Sequence, residues 1–154
     1  MRVFAVWGDN CVDLIVTTHD MNLIAYAQLG REGDLLVVLE MVSRPGFGAL
    51  LSRTMGMLAF QHKMSVFACD LNDASHSVFE SVTREGDCLT VEYDTEKPSF
   101  VYRMPPSAYF MESLRAGEVL LLSSDDFIKQ GQDWFYDSYS TGKTAWIDEV
   151  TPIH

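Results

Sequence analysis

The chain has 154 residues, 47% of them hydrophobic and 21% charged, a composition that is ordinary for a globular protein and excludes a disordered chain. The formal net charge is −11, and residues 78–154 hold 14 acidic and 6 basic residues, whereas residues 1–77 hold 8 and 5. A field of this sign repels nucleic acid and anionic lipid and attracts basic proteins, so we expect a basic protein partner and neither direct nucleic-acid binding nor a membrane surface.

The first half of the chain alternates apolar runs with turn residues. A run on each side of Gly8-Asp9-Asn10 predicts a β-hairpin. Apolar residues at three- and four-residue spacings from Phe47 to Gln61 predict a buried helix. The predicted elements are, in order, a hairpin (2–7 and 11–17), a helix (19–29), a buried strand (35–42), the buried helix (47–61), a strand (65–69) and a more polar helix (73–83).

The second half reads mainly as short strands. Its predicted elements are a hairpin (88–93 and 99–104) and three further strands (119–122, 134–139 and 144–150), the last two joined by a turn at Thr141-Gly142-Lys143. We therefore predict an α+β fold with a mainly antiparallel sheet, a central buried helix (47–61) and a C-terminal small-barrel-like β region. Residues 1–98 would form the α+β core and residues 99–154 would pack on it, either as a second unit or as part of one continuous domain.

Residues 99–151 resemble a Src-homology-three-like small barrel. Four segments carry the resemblance, as its opening strand, diverging turn, third strand and distal hairpin: Phe100-Val101-Tyr102, Ser113 to Leu120, Asp133-Trp134-Phe135 and Ser140 to Ile147. The family's proline-peptide groove needs a proline and a tyrosine where Asp148 and Thr151 stand. The resemblance therefore implies a fold more than it implies peptide binding.

The chain carries no motif that predicts a cofactor or a metal. Its three cysteines are odd in number and far apart, which favours reduced thiols over disulfides or zinc ligands. The Gly142-Lys143-Thr144 triplet lacks the second glycine of a phosphate loop, because Asp137 stands in its place. The start of the chain has no long apolar secretory segment, so we expect a cytoplasmic protein without cofactor or metal.

Acidity and aromatic residues concentrate in the same half of the chain, and this coincidence favours protein recognition. The leading hypothesis is a non-enzymatic binding or inhibitory protein, of the kind that neutralises a basic toxin or nuclease as immunity proteins do. The residues predicted to form its acidic, aromatic docking face are Tyr102, Trp134, Tyr136, Asp137, Asp148 and Glu149. One alternative is a small hydrolase or transferase that uses Cys69, His76 and Asp70, and another is a structural subunit of a larger assembly.

Overall fold

The computed structural model describes residues 1–69, 73–84, 87–91, 99–118 and 124–140. The strands are β1 (Arg2–Trp7), β2 (Cys11–Thr17), β3 (Leu23–Glu32), β4 (Leu35–Ser43), β5 (Ser65–Ala68), β6 (Asp87–Val91) and β7 (Ser99–Arg103). The helices are α1 (Gly48–Gln61), α2 (Asp73–Thr83), α3 (Ala108–Glu118) and α4 (Ser124–Ser140).

The seven strands form one sheet in the order β1-β2-β3-β4-β5-β7-β6. Every neighbouring pair is antiparallel except β4 and β5, which are parallel because α1 carries the chain back across the sheet between them. The predicted α+β fold, its mainly antiparallel sheet and its buried helix are confirmed. The predicted hairpins at the two edges of the sheet are also present, as β1-β2 and as the β6-β7 pair.

Helices cover both faces of the sheet. On the first face, α1, α2 and α3 bury a large apolar cluster with the strands, which includes Leu51, Met55, Phe79 and Phe110. On the second face, α4 contacts β2, β3 and β4 and buries a smaller cluster around Phe127 and Trp134. Helices therefore cover the first face of the sheet and the part of the second face that β2, β3 and β4 form.

The predicted helix over 19–29 is wrong, because residues from Leu23 onward form β3. Residues 23–27 are all buried, so this part of the strand has apolar residues on both faces and lacks the alternation of a half-exposed strand. A continuous apolar run of this kind fits a buried helix equally well.

The small-barrel-like region predicted for residues 99–151 is also wrong. Its supposed opening strand is β7, which lies inside the sheet between β5 and β6. The residues after it form α3 and α4, and the predicted strand over 134–139 belongs to α4. The predicted strands over 119–122 and 144–150 lie outside the described residues, and the division of the chain at residue 98 stays a prediction.

None of the helices in the described ranges combines the length and the hydropathy that a bilayer crossing requires.

Candidate functional site at the carboxyl end of β4

Strand β4 has an unpaired edge at its carboxyl end. Parallel pairing with β5 covers only Leu35 to Val37, opposite Ser65 to Phe67. Within the described residues, 38–43 pair with β3 on one side and with no strand on the other. We call residues 38–43 the open edge; at about 3.3 Å per residue it is roughly 20 Å long.

The open edge lies between two layers of helix. Helix α1 contacts β4 and β5 on the first face of the sheet, and α4 contacts β4 on the second face. The open edge also lies directly beyond the three residues of β4 that pair in parallel with β5, and in open α/β sheets ligands bind outside the carboxyl ends of parallel strands.

The open edge leads directly into a tight turn. The backbone N–H of Phe47 donates to the carbonyl oxygen of Arg44 at 3.1 Å, so Pro45 and Gly46 are the central residues of the turn. Gly46 has a φ of +85°, which a type II turn requires at this position and which favours glycine. Arg44, Pro45 and Gly46 are all exposed, so the guanidinium of Arg44 is available to a ligand.

The turn opens α1 without a cap. The N-cap position is Phe47, no side chain caps the helix, and its first turn contains no acidic residue. The first N–H groups of a helix have no acceptor within it, here those of Gly48, Ala49 and Leu50. These amides, the helix dipole and the charge of Arg44 together give a local preference for anions within an acidic protein.

A β-bulge interrupts the open edge. The β3–β4 register shifts so that Gln28 faces Glu40 while Leu29 faces Val38, which leaves Leu39 as the extra residue. The side chain of Leu39 is 53% exposed, and it leaves little room above Gly30, where an added Cβ would lie 3.3 Å from its Cδ1. The bulge thereby sets the direction of the Glu40 side chain that follows it.

Glu40 is a carboxylate in a largely apolar strand. It accepts a hydrogen bond from the Tyr136 side chain, which raises the pKa of that phenol. Its Oε2 atom is buried and has no hydrogen-bond partner among the described residues. A buried carboxylate oxygen with unused acceptor capacity can take a proton or bind an N–H group of a ligand.

A second buried polar pair lies beside Glu40 on the α4 face of the sheet. The hydroxyl of Tyr26 donates to Oδ1 of Asp13 at 2.6 Å, and the Tyr26 side chain is fully buried. Burial, followed by the hydrogen bond and charge of Asp13 and by the charge of Glu40, holds the pKa of Tyr26 above its usual range. Helix α4 rests on this tyrosine through Gly131, where any side chain would collide with the ring.

The residues predicted as a docking face do not form one surface. Tyr102 is 1% exposed and donates its hydroxyl to the carbonyl oxygen of Ser52 at 2.8 Å, and Trp134 is 8% exposed in the core under α4. Tyr136 and Asp137 are exposed on α4. Asp148 and Glu149 lie outside the described residues.

The alternative catalytic group is only partly described. Cys69 is half-buried just after β5, and Asp70 lies outside the described residues. His76 lies on α2, with its ring 5.3 Å from that of Phe100 and its Nδ1 3.8 Å from Oε2 of Glu80. A triad of Cys69, His76 and Asp70 stays a prediction.

Comparisons with known proteins give similar solved structures only. No protein-family model and no curated protein matches the chain. A variant of a cAMP-binding acyltransferase from Mycobacterium smegmatis aligns with a TM-score of 0.46 and 17% identity over 66% of this chain and 33% of that one. A putative acetyltransferase of the GNAT family from Bacteroides thetaiotaomicron aligns with a TM-score of 0.43 and 15% identity over 77% and 73%.

The chain thus spans about a third of the length of the mycobacterial protein. Similarity at this level does not assign the chain to a family.

The interpretation as a Src-homology-three-like barrel and as a non-enzymatic inhibitor or immunity-type protein is wrong. The supposed diverging turn and third barrel strand fall in α3 and α4, and two of the rings that the docking face required are buried in the core. Of the predicted docking face, Tyr136 and Asp137 are exposed on α4, and Tyr136 lies beside the Glu40 carboxylate.

Sequence reasoning missed the two features that define this site. Arg44-Pro45-Gly46 by itself predicts only a turn that ends a strand, although the residues that follow open a long helix with no capping side chain. Glu40 by itself only interrupts an apolar run. A carboxylate within a predicted buried strand is the signal that could have marked it.

Proposed function

We propose that the protein is an acyltransferase that takes an acyl group from a coenzyme A thioester and passes it to an amine. The observation that carries the proposal is the continuity of the open edge of β4 with the Arg44–Phe47 turn and the uncapped start of α1. A single ligand that lies along the open edge of β4 would reach the anion site at the start of α1.

The anion site suits the phosphate end of such a donor. Phosphate oxygens would accept hydrogen bonds from the first amides of α1 and from the Arg44 guanidinium. Glycine at position 46 lets the backbone approach a ligand closely, because no side chain intervenes. No carboxylate lies in the first turn of the helix to repel the ligand.

The open edge suits the arm of the donor. The arm of coenzyme A is an extended chain that carries amide groups, and an extended chain can add to an unpaired strand edge through main-chain hydrogen bonds. A donor with its phosphates at Gly46 and its arm running back along β4 would bring its thioester towards Glu40. From Ser43 to Glu40 the strand covers about 10 Å.

Glu40 supplies the base that amine acylation needs. An ammonium group must lose a proton before its nitrogen can attack the thioester carbonyl carbon. In the proposed step Glu40 accepts that proton and the new carbon–nitrogen bond forms. The carbon–sulfur bond then breaks, and the leaving thiolate takes up the second proton, which the nitrogen loses as it becomes an amide. The exposed carboxylates of Asp133 and Asp137 on α4 would attract a cationic amine to this side of the sheet.

Donor binding tests the first half of the proposal. Calorimetric titration of the full chain with acetyl-coenzyme A should show saturable binding. Arg44→Gln should weaken it about tenfold or more, since one charge-assisted hydrogen bond contributes about 1.5–3 kcal/mol. Arg115→Gln is the matched control, because Arg115 is exposed on α3 away from the turn. Equal affinity in the two variants would overturn the assignment of the anion site.

Thiol release tests the second half. Acetyl-coenzyme A incubated with a diamine and the protein should release free thiol, and Glu40→Gln should lower the rate about 10²–10⁴-fold while donor affinity stays the same. Glu112→Gln, an exposed carboxylate on α3, is the control. A Glu40→Gln protein that binds the donor and transfers the acyl group at the normal rate would remove Glu40 from the reaction.

A further inference from the structure

We propose that a cavity between β1, α1 and α3 binds a small, neutral heteroaromatic molecule. This inference is independent of the proposed acyl transfer. The cavity borders the last turn of α1, whereas the anion site borders the first turn. A helix of 14 residues separates its two ends by about 21 Å.

The cavity has the size of a small-molecule site. Its volume is about 430 Å³, within the range of about 300–1,000 Å³ that is usual for ligand pockets. Its apolar side chains come from Ala5 on β1, Leu58 on α1 and Leu114 on α3, whereas the Phe4 ring points to the other face of the sheet and stacks on Phe127. The mouth is polar, because Gln61 and His62 also line the cavity and are exposed.

Trp7 forms an aromatic wall whose position is fixed. Its ring centroid lies 5.1 Å from the guanidinium carbon of Arg31. The Nη1 atom of Arg31 donates a hydrogen bond to the carbonyl oxygen of Gly8 at 2.8 Å. The His62 ring lies 4.4 Å from the Trp7 ring at an angle of 52°. The two rings are in direct contact and together present one aromatic surface to the cavity, against which a flat ring can stack or place its edge.

The electrostatics favour a neutral ligand. None of the described lining residues carries a carboxylate, an ammonium or a guanidinium group. Desolvation, followed by the charge of Arg31, lowers the pKa of His62, which keeps its imidazole neutral at physiological pH. A neutral imidazole and the Gln61 amide each offer a donor and an acceptor, so the ligand class is a ring that carries its own N–H or ring nitrogen.

Fluoroindole is a suitable probe, because fluorine NMR reports its binding without interference from the protein. Titration of the full chain should give a saturable shift with a dissociation constant of about 1 mM or tighter. Benzoate, which is flat but anionic, should bind at least about tenfold more weakly, a difference of about 1.4 kcal/mol.

Two variants locate the site. Ala5→Phe fills the cavity from β1 and should abolish the saturable shift, whereas Ala108→Phe makes the same change at an exposed position of α3 and should leave it intact.

Trp7→Leu removes the aromatic wall without filling the space and should weaken binding at least tenfold. This second variant tests the site even if Ala5→Phe does not fold. A linear, non-saturating response in the wild type, or unchanged affinity in the folded variants, overturns the proposal. Benzoate binding as tight as that of fluoroindole overturns the neutral ligand class.

Discussion

The contact between α4 and Tyr26 leads to a sharp prediction about Gly131. A Cβ atom added at Gly131 would collide with Cγ of Tyr26 and lie 2.6 Å from its Cβ. These atoms are close to the backbone of a fully buried strand residue, so they cannot move aside as the end of a flexible side chain would. Overpacking costs about 1–3 kcal/mol, and here the upper value applies. The better helix propensity of alanine returns about 1 kcal/mol, so Gly131→Ala should lower the free energy of unfolding by about 2 kcal/mol.

Gly56→Ala is the matched comparison, because Gly56 also lies within a helix that packs on the sheet. There the added Cβ would meet Cε2 of Tyr102 at 2.9 Å and the flexible Met104 at 3.1 Å. The smaller packing cost, about 1 kcal/mol, is offset by a similar gain in helix propensity, so stability should change little.

Urea unfolding followed by circular dichroism measures both free energies of unfolding. If Gly131→Ala were as stable as the wild type, α4 could not lie on Tyr26 as described, and the surroundings of Glu40 would have to be reconsidered.

Three further outcomes follow from buried or shifted groups. Because the pKa of Tyr26 is raised in the folded protein, its contribution to stability is present below the ordinary tyrosine pKa of about 10 and is lost as the pH rises above it. Urea unfolding above pH 10 should therefore show a decline that is smaller in Tyr26→Phe. Tyr102→Phe removes the hydrogen bond from the buried phenol to the carbonyl oxygen of Ser52 and should cost about 0.5–1.5 kcal/mol in the same assay, and a change near zero would contradict that bond. Arg31→Gln should raise the pKa of His62 in a proton NMR titration, because it removes a neighbouring positive charge, and an unchanged value would contradict this electrostatic cause.

Much of the fold could be predicted where one structural period dominates the sequence. The Gly8-Asp9-Asn10 turn between two apolar runs predicted the β1–β2 hairpin, and the spacing of apolar residues from Phe47 onward predicted α1 to within one residue. Both signals are local, so they do not depend on what packs against them.

The C-terminal half could not be predicted in the same way, because its strongest signal is ambiguous. The run Trp134-Phe135-Tyr136 fits a strand by aromatic content. In α4, however, Phe127, Gly131 and Trp134 recur at four- and three-residue spacing and face the sheet, while Tyr136 points outward. Gly131 makes this apolar stripe hard to recognise in the sequence, because a glycine is not an apolar side chain. Its part in the contact is to leave room for the Tyr26 ring.

The candidate site could not be predicted because it depends on pairing rather than on a motif. Nothing local to β4 indicates that β5 will pair with it for three residues only, or that Leu39 will form a bulge next to Glu40. These features arise from contacts between segments that are distant in sequence.

The most direct test of the account is the position at which coenzyme A binds. Backbone amide NMR of the full chain titrated with coenzyme A should show the largest shifts at residues 46–50 and along the open edge, residues 38–43. The account is contradicted if coenzyme A leaves these amides unchanged at saturating concentration, or if the shifts cluster at another part of the sheet.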